Sequence, residues 1–189
     1  MSTRYTEIEY ADLELKAAYK NEYFNGEIFA MAGGSMPHSE IKVSILSLLR
    51  AGVNRQRCRV LDSGFRIRVA ATGLQTYPDA SVICGAPEFG LGRRDCFENP
   101  IVIVEVLSES TQAYDRGEKF EHYKRIPSLR EYVLAWQTRP RVEVFRRQPD
   151  GAWTASVFDG EDSAVSLESI GVALRVGDIY AGIELTGGW

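Results

Sequence analysis

The chain predicts an α/β fold (in α+β terms, a mixed sheet): a central mixed β-sheet flanked by helices, with a helix and a hairpin at its N-terminal end. Three observations carry this. Residues 101–107, IVIVEVL, are apolar on both alternating sides, the pattern of a strand covered on both faces. The order of signals along the chain is helix, hairpin, helix, several strands, helix, strands, without repeat or low-complexity tract. The 189 residues, 44% hydrophobic and 25% charged, fit one globular domain over residues 1–189 with a sizeable core.

Each element has a local reason. Thr6 with Glu9 has the spacing of a capping box and opens a helix that runs to about Tyr19. Asn25-Gly26, set between aromatic-rich runs, is a strong two-residue hairpin signal, and Glu27 is the first residue after that turn, on one strand face with Phe29 and Met31. From Pro37 to about Asn54 the spacing turns helical, with Ile41, Ile45, Leu48, Leu49 and Gly52 on one side, Ser35 as a possible cap and His38 in the first turn. CRVLDS, GFRIRVA and TYPDASVIC then read as three short strands. Residues 85–100 form a loop rich in Gly, Pro and Arg. Past the central strand, Asp115 and Glu118 resemble a cap that opens a helix to about Arg125, stopped by Pro127. EYVLAWQ, RVEVFRR and WTASVFD follow as strands, and a short helix fits near Val176 to Gly182 in an acidic tail.

Composition narrows the function. No apolar run approaches membrane-spanning length, and the acidic, polar start does not read as a signal peptide, so the cytoplasm is the expected compartment and no membrane partner is expected. Cys58, Cys84 and Cys96 form no C-x-x-C and read as reduced thiols in or near the core. A net charge of −4 argues against coating nucleic acid through bulk electrostatics, although arginines crowd residues 50–68 and 139–147. Two histidines, His38 and His122, are too few and too separated for a zinc cluster, and there is no P-loop, G-x-S-x-G or dinucleotide glycine signature.

The carboxylates are more informative. Glu105 interrupts the buried run at 101–107, where a carboxylate is costly unless paired, hydrogen-bonded or bound to a metal; a solvated strand-end glutamate is the ordinary alternative. Asp79 in TYPDASV follows Pro78, which places it near a strand end or edge. Two carboxylates on neighbouring strands can share a hard divalent cation whose remaining positions go to water and phosphate oxygens. Lys119 stands beside the packing stripe of Phe120 and Tyr123, from which its amine could reach over the strand ends; an Asp115–Lys119 surface pair is the plainer explanation.

The run VEVLSESTQAYDRGEKFEHYKRIPSLREYVL, with YFNGEIFAMAGGSMPHSEI and YPDASVICG upstream, resembles the putative restriction endonuclease family, a branch of the PD-(D/E)XK nuclease superfamily, over residues 5–183. The resemblance implies a restriction endonuclease-like core with a divalent-metal site at the open end of the sheet. It maps the Asp of the PD element onto Asp79, the acid of E-x-K onto Glu105, and a further first acid onto Glu27. Where E-x-K places lysine the chain has Leu107, and Lys119 on the following helix is the matching position. The implied chemistry is Mg²⁺- or Mn²⁺-dependent hydrolysis of phosphodiester bonds in DNA. Asp79, Glu105 and Glu27 are the expected metal ligands, Lys119 the residue assisting the attacking water, and His38 a phosphate contact. A homodimer is expected. The alternative is a catalytically inactive nucleic-acid-binding or regulatory homodimer on the same fold.

Overall fold

The computed structural model describes residues 3–31 and 33–185. Helix α1 (Glu7–Glu14) starts at the expected capping box: Thr6 accepts the N–H of Glu9, and the Glu9 carboxylate accepts the N–H of Thr6. It ends earlier than its sequence spacing predicts. Strands β1 (Asn21–Phe24) and β2 (Glu27–Ala30) pair across Asn25 and Gly26, both at positive φ (47° and 85°), as a type I′ turn requires. Helix α2 (Met36–Gly52), capped by Ser35, buries Ile41, Ile45 and Leu49 along one face.

The next run holds β3 (Cys58–Asp62), β4 (Arg66–Arg68), β5 (Gln75–Thr76) and β6 (Ala80–Cys84). The stretch TYPDASVIC is thus interrupted at Tyr77–Asp79 and feeds two different sheets. The loop before residue 100 contains a short strand, β7 (Cys96–Phe97). Strand β8 (Val102–Leu107) is buried at every position. The single helix expected after it is two: α3 (Gln112–Arg116) and α4 (Glu118–Tyr123), joined at Gly117. Asp115 lies inside α3 and caps nothing. A Cβ at Gly117 would stand 2.9 Å from the Ala113 carbonyl oxygen, so the close turn between the helices depends on a bare Cα there.

Strands β9 (Glu131–Trp136), β10 (Arg141–Arg147) and β11 (Trp153–Asp159) match the sequence expectation. A further hairpin, β12 (Ala164–Leu167) and β13 (Val172–Arg175), and the short helix α5 (Val176–Tyr180) complete the described chain. The main sheet has the order β11-β10-β9-β8-β6-β3, mixed because β8 and β9 run parallel while the other pairs are antiparallel. A smaller sheet, β2-β1-β5-β4-β7, packs the hairpin near it.

The core has two parts, one on each side of the main sheet. Val102, Val104 and Val106 of β8 meet Ile41, Ile45 and Leu49 of α2, with Val176 and Ile179 of α5. Ile103 and Leu107 point the other way, into a cluster with Phe120, Tyr123, Tyr132 and Leu134. Alternation puts Glu105 on this second side, under α4. Cys58 and Cys84 stand opposite each other across β3 and β6 and form a disulfide, so the reading of all three cysteines as reduced thiols is corrected: only Cys96 remains a free, buried thiol among the described residues. The pairing depends on strand register, which the cysteine spacing did not disclose. Among the described residues, no helix is long and apolar enough to cross a membrane.

Candidate active site

The site assembles where β8, the residue before β6, β1 and the first turns of α2 and α4 meet. Because Ala80 pairs with Val104, Asp79 falls beside Glu105 on the neighbouring strand. One Asp79 carboxylate oxygen accepts the Val106 N–H (2.8 Å), the other meets His38 Nε2 (2.9 Å), and the Asp79 N–H donates to Glu105 Oε2 (3.3 Å). The break after β5 thus frees Asp79 from ladder pairing and points it at β8.

Lys119 is 5% exposed, and Glu105 is 4% exposed. The Lys119 ammonium lies 2.9 Å from Glu105 Oε1, 3.3 Å from Glu22 and 3.4 Å from Asp115. The Asp115–Lys119 pair foreseen as a surface contact therefore exists, but it is buried. Tyr123, one turn after Lys119, donates its hydroxyl to Glu105 Oε1 (2.8 Å). Thr76 donates to Glu22, and Tyr132 donates to the Asp115 carbonyl (3.0 Å), which pins α3 to the sheet.

The electrostatics follow from an excess of acids around one lysine. Burial works against the charge on Lys119, yet Glu105, Glu22 and Asp115 outweigh it and hold its pKa well above the ordinary lysine value. Burial pushes Glu105 up to about 8; Lys119 opposes this, while Asp115 and Asp79 add to it. Burial likewise raises Asp115, against the pull of Lys119 and Thr111. Asp79 differs. Burial alone would raise it, but the hydrogen bond and charge of His38, the Val106 N–H and Lys42 hold it below the usual aspartate value.

The structure brings together Asp79, Glu105, Lys119 and His38 of the residues expected from sequence, and it does not bring Glu27. Glu27 stands exposed at the tip of the hairpin, paired across it with Phe24. Glu22, at the base of the same hairpin, is the glutamate that reaches the site, through Lys119. Both glutamates lie on one face of the hairpin, so period-two reasoning does not separate them; the pairing of Tyr23 with Gln75 does, by setting Glu22 beside Thr76. Tyr123 and Asp115 are the other site members not singled out for chemistry. His38, expected as a phosphate contact, lines the cleft with the Asp79 carboxylate as its partner.

A cleft of about 1070 Å³ opens over this cluster, lined by Tyr19, Lys20, Glu22, His38, Asp79, Glu105 and Lys119 among others. Among the described residues, no group of three or more His, Cys, Asp or Glu side chains is arranged to hold a metal ion by itself. The donor set nevertheless fits a small hard cation, since such an ion is commonly held by one or two carboxylates plus water and phosphate oxygens. Asp79 and Glu105 supply adjacent carboxylates in a pocket short of positive charge.

Comparison with other proteins identifies the family and the fold. Residues 8–177 match the family Uma2, described as putative restriction endonuclease. Two uncharacterized proteins of Synechocystis, slr1290 and sll1609, are similar: 35% identical over 93% of this chain and 90% of the relative, and 32% identical over 85% and 90%. The crystal structure of a putative nuclease belonging to DUF820 from Anabaena variabilis superposes with a TM-score of 0.74 at 23% identity, covering 94% of this chain and 98% of that one, a likeness of fold. The mixed sheet flanked by helices is thus a restriction endonuclease-like fold, and the chain belongs to the Uma2 family of putative restriction endonucleases.

Proposed function

We propose that this protein is a Mg²⁺- or Mn²⁺-dependent endonuclease that hydrolyses phosphodiester bonds in DNA. The observation that carries the reading is the buried Lys119 ammonium, 2.9 Å from Glu105, whose carboxylate in turn accepts the Asp79 N–H, on the lining of an open cleft. Asp79 and Glu105 would hold the cation, which when bound supplies an activated water and offsets phosphate charge. Lys119 is kept protonated by the acids around it, so it acts as a fixed positive charge. It orients the attacking water by hydrogen bonding and stabilises the extra negative charge of the transition state. Tyr123 orients the Glu105 carboxylate through its hydroxyl, and His38 does the same for Asp79. Glu22 and Asp115 set the position and charge of Lys119. Glu27 has no part in this scheme.

The test is incubation of supercoiled plasmid with the purified protein in Mg²⁺ or Mn²⁺ and in EDTA. Nicking and linearisation that require the cation, and that disappear in Lys119→Met, are expected. Equal conversion by wild type and Lys119→Met would contradict the proposal.

A further inference from the structure

Several cations of this chain are paired with carboxylates within the fold. Arg66, Arg68, Arg93, Arg141 and Arg146 all have carboxylate partners. Among the described residues, the lysines in ion pairs are Lys119 and Lys124. Lys20 and Lys42 are different. They come from separate elements, the segment before β1 and the middle of α2, and converge on one residue in the turn after β3. Lys20 Nζ donates to the Ser63 carbonyl (2.7 Å), and Lys42 Nζ reaches the Ser63 hydroxyl (3.5 Å).

Two ammonium groups drawn to one serine repel each other; neither makes an ion pair among the described residues, and the carboxylate that feels the charge of Lys42 is Asp79 of the site itself. Each spends one of its three donors on Ser63 and keeps others for a ligand. The pair lies on the wall of the cleft that also holds Asp79 and Glu105. Lys42 stands one helical turn after His38, on the same side of α2, and that histidine contacts Asp79 directly. Next to Lys20, Tyr19 is 81% exposed on the same cleft wall, which leaves an aromatic face free beside the cations.

We infer that Lys20, Lys42 and Ser63 form a phosphate-binding subsite that holds the nucleic-acid strand at a phosphate flanking the one cleaved. The inference rests on the nuclease reading above and adds to it where the strand runs: from the Lys119 end of the cleft, past Asp79 and His38, to the Ser63 turn. A lysine pair next to an exposed tyrosine suits a single strand or an unpaired end, whose backbone is held by charge and whose base stacks.

The experiment measures binding of a fluorescein-labelled single-stranded DNA oligonucleotide by anisotropy in Ca²⁺ across a salt series, with plasmid cleavage in Mg²⁺ followed on the same preparations. Lys20→Ala/Lys42→Ala should bind about 10-fold more weakly and lower the slope of log affinity against log salt by about 1 to 2. Lys20→Arg/Lys42→Arg should restore both, and Lys124→Ala, already paired to Glu121, should change neither. Thermal melts of each variant separate loss of the subsite from loss of the fold. A double alanine variant that cuts plasmid and keeps the wild-type affinity and slope would overturn the subsite and leave the nuclease reading standing. Weaker binding with an unchanged slope would also overturn it, since the lost contact would not be to phosphate. Wild type that neither binds nor cuts would overturn both.

Discussion

Glu105 and Glu131 are both buried on neighbouring parallel strands of one sheet, Glu105 opposite Leu134 and Glu131 opposite Val102. Glu131 is completely served. Arg146 Nε (3.0 Å) and the Glu168 N–H (3.0 Å) reach one oxygen, while the Ser169 N–H (3.2 Å) and hydroxyl reach the other. Glu105 shares its single cation, Lys119, with Glu22 and Asp115, and has Asp79 alongside. One glutamate ties β9 to β10 and to the turn after β12. The other sits in a pocket with more acids than bases, where the proposed cation would supply the missing positive charge. Burial of a carboxylate is therefore not the mark of a site; burial without enough positive charge is.

The largest effects should separate the two glutamates by kind. Asp79→Ala and Glu105→Ala should each lower cleavage by roughly 10²–10³-fold or more, measured as initial rates per folded molecule on supercoiled plasmid. Glu131→Ala should do the opposite: it strands Arg146 and the amides of Glu168 and Ser169, and should cost about 3–5 kcal/mol in chemical unfolding while cleavage per folded molecule persists.

The pH dependence sharpens the same contrast. Folded Glu105 keeps its proton up to about 8, whereas the unfolded chain releases it near the ordinary value of 4.5. Between these values the folded state binds more protons than the unfolded one, so this group lowers the unfolding free energy as pH rises from about 4.5 to 8. Asp79 has the other sign: its contribution is present above 3.8 and is lost as pH falls through its lowered folded pKa. Urea unfolding in EDTA at a series of pH values should show the decline in wild type and a flatter profile in Glu105→Gln. A smaller effect is expected at Tyr123. Tyr123→Phe removes a hydrogen bond to a carboxyl without emptying the core and should cut the cleavage rate by about 10-fold, on the scale of one such bond.

Much of this was legible in the sequence where the signal is local. The capping box at Thr6 and Glu9, the Asn25-Gly26 turn and the two-sided apolar run of β8 each depend on neighbours within a few residues, and each is found. Asp79 and Glu105 were legible as a pair because a buried acid in a strand requires a partner. What was not legible depends on register between distant segments. Glu22 was passed over for Glu27 because the two share a hairpin face and only the pairing with β5 distinguishes them. The Cys58–Cys84 disulfide likewise needs the β3–β6 register. The break at Gly117 was missed because the residues on either side continue a helical pattern, and the need for close approach to Ala113 is a property of the folded backbone. The β12–β13 hairpin was hidden in a tail whose acidic, Gly-containing composition masks its short apolar alternation.

The most direct test of the contrast is the thermal shift produced by Mn²⁺ on wild type, Glu105→Gln and Glu131→Gln at pH 8. Wild type and Glu131→Gln should be stabilised by the cation, from a lower starting point in Glu131→Gln. Glu105→Gln should melt at or above wild type in EDTA and gain nothing from Mn²⁺. A Glu105→Gln protein that melts lower in EDTA and is stabilised by Mn²⁺ as much as wild type would contradict the claim that Glu105 is buried to receive a cation.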